Sequence, residues 1–373
     1  MPTISGGTAH GARRARSGAA AALVALAMLA TTACGAGEPA APPTVTASPD
    51  VAVPKTAAPA PVLPKPEPRP KPVVWPLTGK RTGTPKVPAR PAVAVKIENS
   101  TAARPQRGLQ RADIVWEQVV EGGITRYVAV YHSSLPSTVG PVRSVRPMDP
   151  AIVAPMHGIL AYSGGQPPFI RAVGKAGVQS VTMDSGDPGF RRSGDRPAPH
   201  NVYGSVRTFA KQANKGRAMP PPAQFSYAAK LGQGSAATND RRGHVVDVRL
   251  SPLQRTVWRW KAKTKTYARY DGSTPSVSSG HQLRARNVLV LSVAMKNTRY
   301  RDPSGAPVPK TRLSGRGSGV LLTGGTALHV TWKKKGTRAR LVLTAPNGKP
   351  ATLDPGNLWI ELVPRGSGSW RVS

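Results

Sequence analysis

Ala112 to Ser133 reads ADIVWEQVVEGGITRYVAVYHS, two apolar runs either side of a Gly-Gly pair. The first, Ala112 to Gly122, fits a strand or a short helix, because periodicity alone does not separate the two in runs of this length. The second, Ile124 to Ser133, alternates and is rich in β-branched and aromatic residues, which predicts a strand. Upstream, AVAVKIEN (Ala92 to Asn99) predicts another strand, and downstream GILAYSG (Gly158 to Gly164) a buried one. PFIRAVGKAG (Pro168 to Gly177) and SVRTFAKQA (Ser205 to Ala213) carry helical spacing. Strands interleaved with helices predict a mixed α/β N-terminal domain.

Beyond it the pattern changes. RTVWRWKAKTKTYARYDG (Arg255 to Gly272) reads as two alternating runs joined by a polar turn, and ARNVLVLSVAM (Ala285 to Met295), SGVLLTGGTALHVTWKK (Ser318 to Lys334), ARLVLTAPNGKPATLDPG (Ala339 to Gly356) and LWIELVP (Leu358 to Pro364) continue the series. Pro346-Asn347-Gly348 between apolar runs is a hairpin signal. The fold class expected is therefore α+β, a mixed α/β N-terminal domain (76–229) followed by a β-rich C-terminal domain (245–373), with KLGQGSAATNDRRGH (230–244) as an unpatterned linker.

The 373 residues carry 53 Lys+Arg against 17 Asp+Glu, a net charge of +36 and a pI near 11.5. The excess is uneven: Lys96 to His200 has 12 basic and 8 acidic residues, a net of +4, whereas Asn201 to Ser373 has 30 and 6, a net of +24. At the amino end Arg13, Arg14 and Arg16 precede the apolar run Ala19 to Ala30, too short to span a bilayer and suited to a signal-peptide core. Small residues then lead to Cys34, the one cysteine, in LATTACG. This predicts a lipoprotein signal over 1–33 and a diacylglycerol on the Cys34 thiol, with Thr31 standing where such signals usually carry Leu. Plain secretion with a stray Cys is the alternative, and it exports the chain equally. Residues 34–75 predict a disordered tether: Gly35 to Trp75 holds twelve prolines, and polyproline II at about 3.1 Å per residue would reach roughly 120 Å.

Most chemistry is excluded. A lone Cys forbids a disulfide framework and Cys-rich metal centres. The seven histidines never fall at the spacing that puts two ligands on one helix face, so no metal site is expected. No Walker A loop occurs, and GRGSG (Gly315 to Gly319) lacks the strand-to-helix context of a dinucleotide loop and the spacing of a nucleophile elbow, which leaves it a turn between strands. No cofactor is expected. An exported chain is also kept from nucleic acid, despite its charge.

RPAVAVKIEN, ARPQRGLQRADIVWEQVVEGGITRYVAVY, VGPVRSVRP and DRPAPHNVYGS resemble the YerB-like lipoproteins of the DUF3048 family, and YARYDG, ARNVLVL, GRGSGVLLTGG and DPGNLWIELVP resemble that family's second domain. The resemblance spans about Pro76 to Pro364 and rests on EGGITR, GPVRS and APHN together. It implies a bacterial, exported, commonly lipid-anchored protein at the outer face of the cell membrane, and it implies no reaction.

In those motifs Glu121 precedes the Gly-Gly turn, Arg126 opens a strand, and Arg143 and Arg146 supply guanidinium forks suited to carboxylate or phosphate. Asp195, Arg196, His200 and Asn201 sit on a Pro-stiffened loop. One reading gathers Glu98, Glu121, Arg126, Arg143, Arg146, Asp195, His200 and Asn201 into a polar pocket; the other pairs these charges with one another. Glu121 with His200 is the pair that acid–base catalysis would need, while Asp113 and Glu117 are expected to cap or pair locally. His132 and His157 are expected to be structural. Trp258, Trp260, Trp332, Trp359 and Trp370 lie among lysines and arginines, where they would either stack on sugars of an anionic cell-wall polymer or form β-core. The function classes left are an envelope lipoprotein binding an anionic component and an extracytoplasmic enzyme acting on wall carbohydrate or peptide.

Overall fold

Most of the strand runs form one broad sheet, and a smaller sheet packs against it. The computed structural model describes residues 72–373, so the expected signal, Cys34 and nearly all of the tether lie outside the described residues. In the N-terminal half β1 (Val93–Glu98), β2 (Ile114–Val119) and β3 (Thr125–Tyr131) are buried along their whole length, as near-continuous apolar runs require. β2 and β3 form the hairpin around Gly122-Gly123, both at positive φ, and β1 pairs antiparallel to β3. β4 (Ile159–Tyr162) and β5 (Gln179–Thr182) add parallel strands beyond β1. The helices are short: α1 (Asp149–Val153), α2 (Pro167–Lys175) and α3 (Val206–Lys211), the last capped by the Ser205 side chain. A small hairpin, β6 (Phe190–Arg192) with β7 (Val202–Gly204), presents the Pro197–His200 loop.

In the C-terminal half β8 (Val245–Arg249), β9 (Arg255–Lys261) and β10 (Thr266–Asp271) form an antiparallel meander, the last two joined by the expected polar turn. β11 (Asn287–Arg301), β12 (Pro307–Arg312), β13 (Gly315–Thr323), β14 (Thr326–Lys334) and β15 (Val342–Thr344) follow, then β16 (Leu358–Pro364) and β17 (Ser369–Val372). Two-residue strands aside, the eleven-stranded sheet runs β15-β14-β13-β11-β16-β2-β3-β1-β4-β5, with β12 paired to β11. A six-stranded sheet built on β10-β9-β8-β17 packs against it.

The molecule is thus strand-rich, and its two halves share a sheet. β16 lies parallel between β11 and β2, so the last long strand joins the N-terminal strands to the C-terminal ones. Residues 230–244, expected as a linker, are tied down: the Asp354 carboxylate accepts the Gly232 and Gly234 N–H groups at 2.8 Å each, and Ser235 N–H donates to Thr352 O. GRGSG is not a turn; it forms the first half of β13, where Gly319 lies so close to Val290 O that a Cβ would stand 2.5 Å from it.

Alternation sorts the core onto two faces. Ala94, Trp116, Val128, Leu289 and Ile360 pack under α1 and α2, whereas Val95, Val115, Tyr127, Val290 and Trp359 face the smaller sheet and α3. Trp258, Trp332 and Trp359 are core residues and Trp260 and Trp370 are half-buried, which removes most of the aromatic platform that a sugar-stacking surface would need.

Candidate functional site

The charged residues collect at one end of the central strands, where β1 finishes and β3 begins. Glu98 and Arg126 are register partners there, and Arg126 is also opposite Gln118 of β2. Because side chains alternate, Lys96, Glu98, Gln118 and Arg126 share the face under α1, while their neighbours Glu117 and Tyr127 point to the other.

The segment 140–146 crosses this strand end as an extra layer. Its backbone is stitched on both sides: Glu98 N–H donates to Pro141 O, Arg143 N–H to Lys96 O, Ser163 N–H to Arg143 O and Val142 N–H to Val202 O, at 2.7 to 3.1 Å. Gly140 permits the crossing. It has φ +147°, and a Cβ would stand 2.8 Å from Val202 O. The GPVRSVR stretch therefore holds Arg143 and Arg146 over the strand ends.

Three charge groups result. His200 Nδ1 lies 2.9 Å from Glu98 Oε1, and Arg143 Nε 3.5 Å from Glu98 Oε2. Glu98 itself is buried, but the Arg143 and His200 side chains are 21% and 24% exposed, so this pair faces solvent. Deeper, Glu121 accepts from Arg146 Nε, and Arg126 reaches it only at 3.9 Å. Deepest, Lys96 Nζ meets Asp149 Oδ1 at 2.7 Å with both groups inaccessible, and Asp149 also accepts from Gln118 and the Arg146 N–H. Four cations thus face three carboxylates. Burial, then the neighbouring Arg146, pulls the Arg126 guanidinium down to about 9, and burial pulls Lys96 down to about 8. Arg126 Nε has no hydrogen-bond partner among the described residues.

The expected residues divide accordingly. Glu98, Glu121, Arg126, Arg143, Arg146 and His200 come together. Asp195 stands apart in a half-exposed pair with Arg107 at 2.7 Å, and the Asn201 side chain accepts from Arg192. Glu121 does not meet His200; Arg146 takes its carboxylate, and His200 meets Glu98 instead. Lys96, Asp149 and Gln118 were not expected here. Lys96 inside the apolar run AVAVKIEN was the signal, since a lysine on a buried strand face needs a buried partner.

On the opposite face lies a second network that no motif in the sequence marks. Arg269 is fully buried, donating to Glu117 Oε2 at 2.8 Å, to Asp271 Oδ1 at 2.7 Å and to Ser276 and Thr256. Neither acid is confined to its sequence neighbours as expected: Glu117 accepts from Arg269 besides Thr125 Oγ1 at 2.7 Å, and Asp113 accepts the N–H groups of His132 and Ser133 on the adjoining strand end. Among the described residues, no group of three or more metal-ligating side chains occurs.

Residues 77–219 match the family described as "Protein of unknown function (DUF3048) N-terminal domain", and residues 246–360 match its C-terminal domain. A relative from Bacillus subtilis (strain 168), named "Putative lipoprotein YerB", is 29% identical over 304 residues, 78% of this chain and 86% of that one. The crystal structure of YerB protein from Bacillus subtilis superposes with a TM-score of 0.68 at 26% identity, covering 80% of this chain and 99% of that one.

Proposed function

The chain belongs to the DUF3048 family, and from that premise we propose that it is an exported lipoprotein, held by a lipid on Cys34 at the outer face of the cell membrane, whose folded body binds an anionic component of the envelope. The observation that carries the binding reading is Arg126. It is buried, its closest carboxylate contact is 3.9 Å, and its Nε is unpartnered, although Arg146 and Arg143 lie beside it. A buried cation without a close counter-ion is costly. An anion entering past the solvent-facing Arg143 and His200 would supply that counter-ion and accept paired guanidinium hydrogen bonds.

Inorganic phosphate is the simplest probe. Titrated into the full chain, it should raise Tm, as any ligand selective for the folded state does, and Arg143→Gln should remove that rise while leaving the ligand-free Tm within a few degrees. An unchanged response in Arg143→Gln speaks against the pocket. For the anchor, Cys34→Ser should shift the protein out of the membrane fraction, and continued retention there would refute lipidation at this residue.

A second reading rests on the Glu98–His200 contact. A carboxylate that orients a solvent-facing imidazole is the arrangement of a general base, and it favours hydrolysis of a wall glycan or peptide. Under this reading His200→Gln abolishes turnover of purified wall fragments, whereas under the binding reading the wild type turns over none.

A further inference from the structure

A second basic site lies away from the Arg126 cluster. A half-open cleft of about 460 Å³ opens between α2, the segment after Arg146, and the strand end at 310–314. That is the size of an ordinary small-ligand site, about 300 to 1,000 Å³. Met148 and Leu313 contribute to an apolar floor, and the charged residues lining it are Lys175, Lys310, Arg312 and Arg338, with no acid among them. Arg338 is already committed: its Nε and Nη2 donate to the Ala176 and Lys175 carbonyls at the end of α2, at 3.1 and 3.0 Å. The other three are exposed, and none has a carboxylate within 4 Å among the described residues.

The strand register adds an independent sign. Lys296 of β11 and Lys310 of β12 are Cα partners in an antiparallel pair, and both are exposed. Like charges placed directly opposite each other destabilise a sheet. The arrangement is reasonable where a ligand supplies the negative charge that the protein lacks.

We propose that this cleft binds phosphate groups of an anionic polymer, with Lys175, Lys310 and Arg312 meeting the phosphates and the apolar floor taking the carbon chain between them. Ammonium groups act as point charges for successive phosphates, and Arg312 adds a fork that can grip one of them. The half-open shape lets a chain pass through without an end being enclosed. The inference rests on the reading above only for the anionic class of ligand; the site and its residues are different.

The test uses the full chain with poly(glycerol phosphate) as probe, and poly-glutamate of similar length as a carboxylate control. Replacing Lys175, Lys310 and Arg312 together by Gln should weaken poly(glycerol phosphate) binding about tenfold, three exposed charge contacts being lost, and flatten its salt dependence. Lys310→Gln alone should raise Tm at low salt, by relieving the repulsion with Lys296, while still weakening binding. Equal affinity in the triple variant, or no change in Tm and affinity in Lys310→Gln, overturns the proposal. Equal binding of poly-glutamate, lost in the same variants, overturns the phosphate assignment. Arg143→Gln and the triple variant separate the two sites: Arg143→Gln should remove the rise in Tm with inorganic phosphate, whereas the triple variant should keep that rise and lose affinity for the polymer. If Arg143→Gln abolishes polymer binding and the triple variant does not, the cleft is excluded and the Arg126 site stands.

Discussion

Arg269 is the residue on which the contact between the two sheets turns. Its guanidinium is inaccessible, sits 5.5 Å from the ring centroids of both Tyr127 and Trp359, and meets carboxylates from both sheets, Glu117 on β2 and Asp271 on β10. Beside it, Glu361 of β16 is the register partner of Glu117 and accepts from Trp258 Nε1 at 2.9 Å. Burial first, and then the Glu117 charge, push the Glu361 carboxyl well above the usual range. Arg269 thus serves both Glu117 and Asp271, with Arg104 also reaching Asp271 at 3.2 Å, while burial disfavours the charged form of the third acid. Arg269→Met should destabilise the fold by about 3 to 5 kcal/mol, because it strands a buried carboxylate, and Arg269→Lys should not restore it, since an ammonium cannot fork to both partners. Urea unfolding checks this; a loss under about 1 kcal/mol for the Met variant would exclude the network as a main support. YARYDG is legible as a strand, whereas the pattern around Glu117 predicts a partner nearby. The true partner lies 152 residues away, a separation that no local pattern encodes.

At the scale of elements, β16 shows the same limit. LWIELVP is legible as a buried strand from its apolar run, and its length and ends match the observed Leu358–Pro364. Its place is not legible. Parallel neighbours on both sides, β11 and β2, come from opposite halves of the chain, and parallel pairing carries no short-range turn signal of the kind that marked the β2–β3 hairpin. A chain cut between residues 244 and 245 should therefore yield halves that do not fold cooperatively alone, since each leaves an apolar strand edge bare. Co-expression of the two should recover a protease-resistant complex. A sharp, cooperative unfolding transition from the isolated 245–373 piece would defeat this expectation.

For the molecule as a whole, acid stability follows from His132. It is buried, neither ring nitrogen has a hydrogen-bond partner among the described residues, and it packs edge-on to Trp75, whose ring also carries Arg90. Burial, aided by Arg90, pulls the imidazole down to about 4 from 6.5. Between those values the unfolded chain binds the proton and the folded one does not, so stability falls as pH drops from 6.5 towards 4, by up to about 3 kcal/mol from this group. Glu361 acts in the opposite sense: burial raises its folded value, so its contribution to stability is lost as pH rises above the ordinary carboxylate range. His132→Phe keeps the ring contact and removes the proton, so the difference in Tm between pH 4.5 and pH 7 should shrink relative to the wild type. An unchanged difference would show that His132 does not set the acid limb.

By itself the sequence determined the things that local chemistry decides: most of the strand runs, though not whether Ala112–Gly122 is strand or helix nor that GRGSG is strand, the Gly122-Gly123 turn, the helices α2 and α3, and that GPVRS and APHN carry charged and polar groups. It also placed the charge excess in the C-terminal half, and Cys34 as the one thiol of the chain. The tertiary structure alone decided that the two halves share a sheet, that Glu98 rather than Glu121 meets His200, that Asp195 and Asn201 stand aside, and that Glu117 answers to Arg269. Each of these depends on which strand lies beside which. Alternation tells a side chain which face to occupy, but the identity of the neighbour on that face is set by long-range packing, where burial of the apolar face outweighs any local preference.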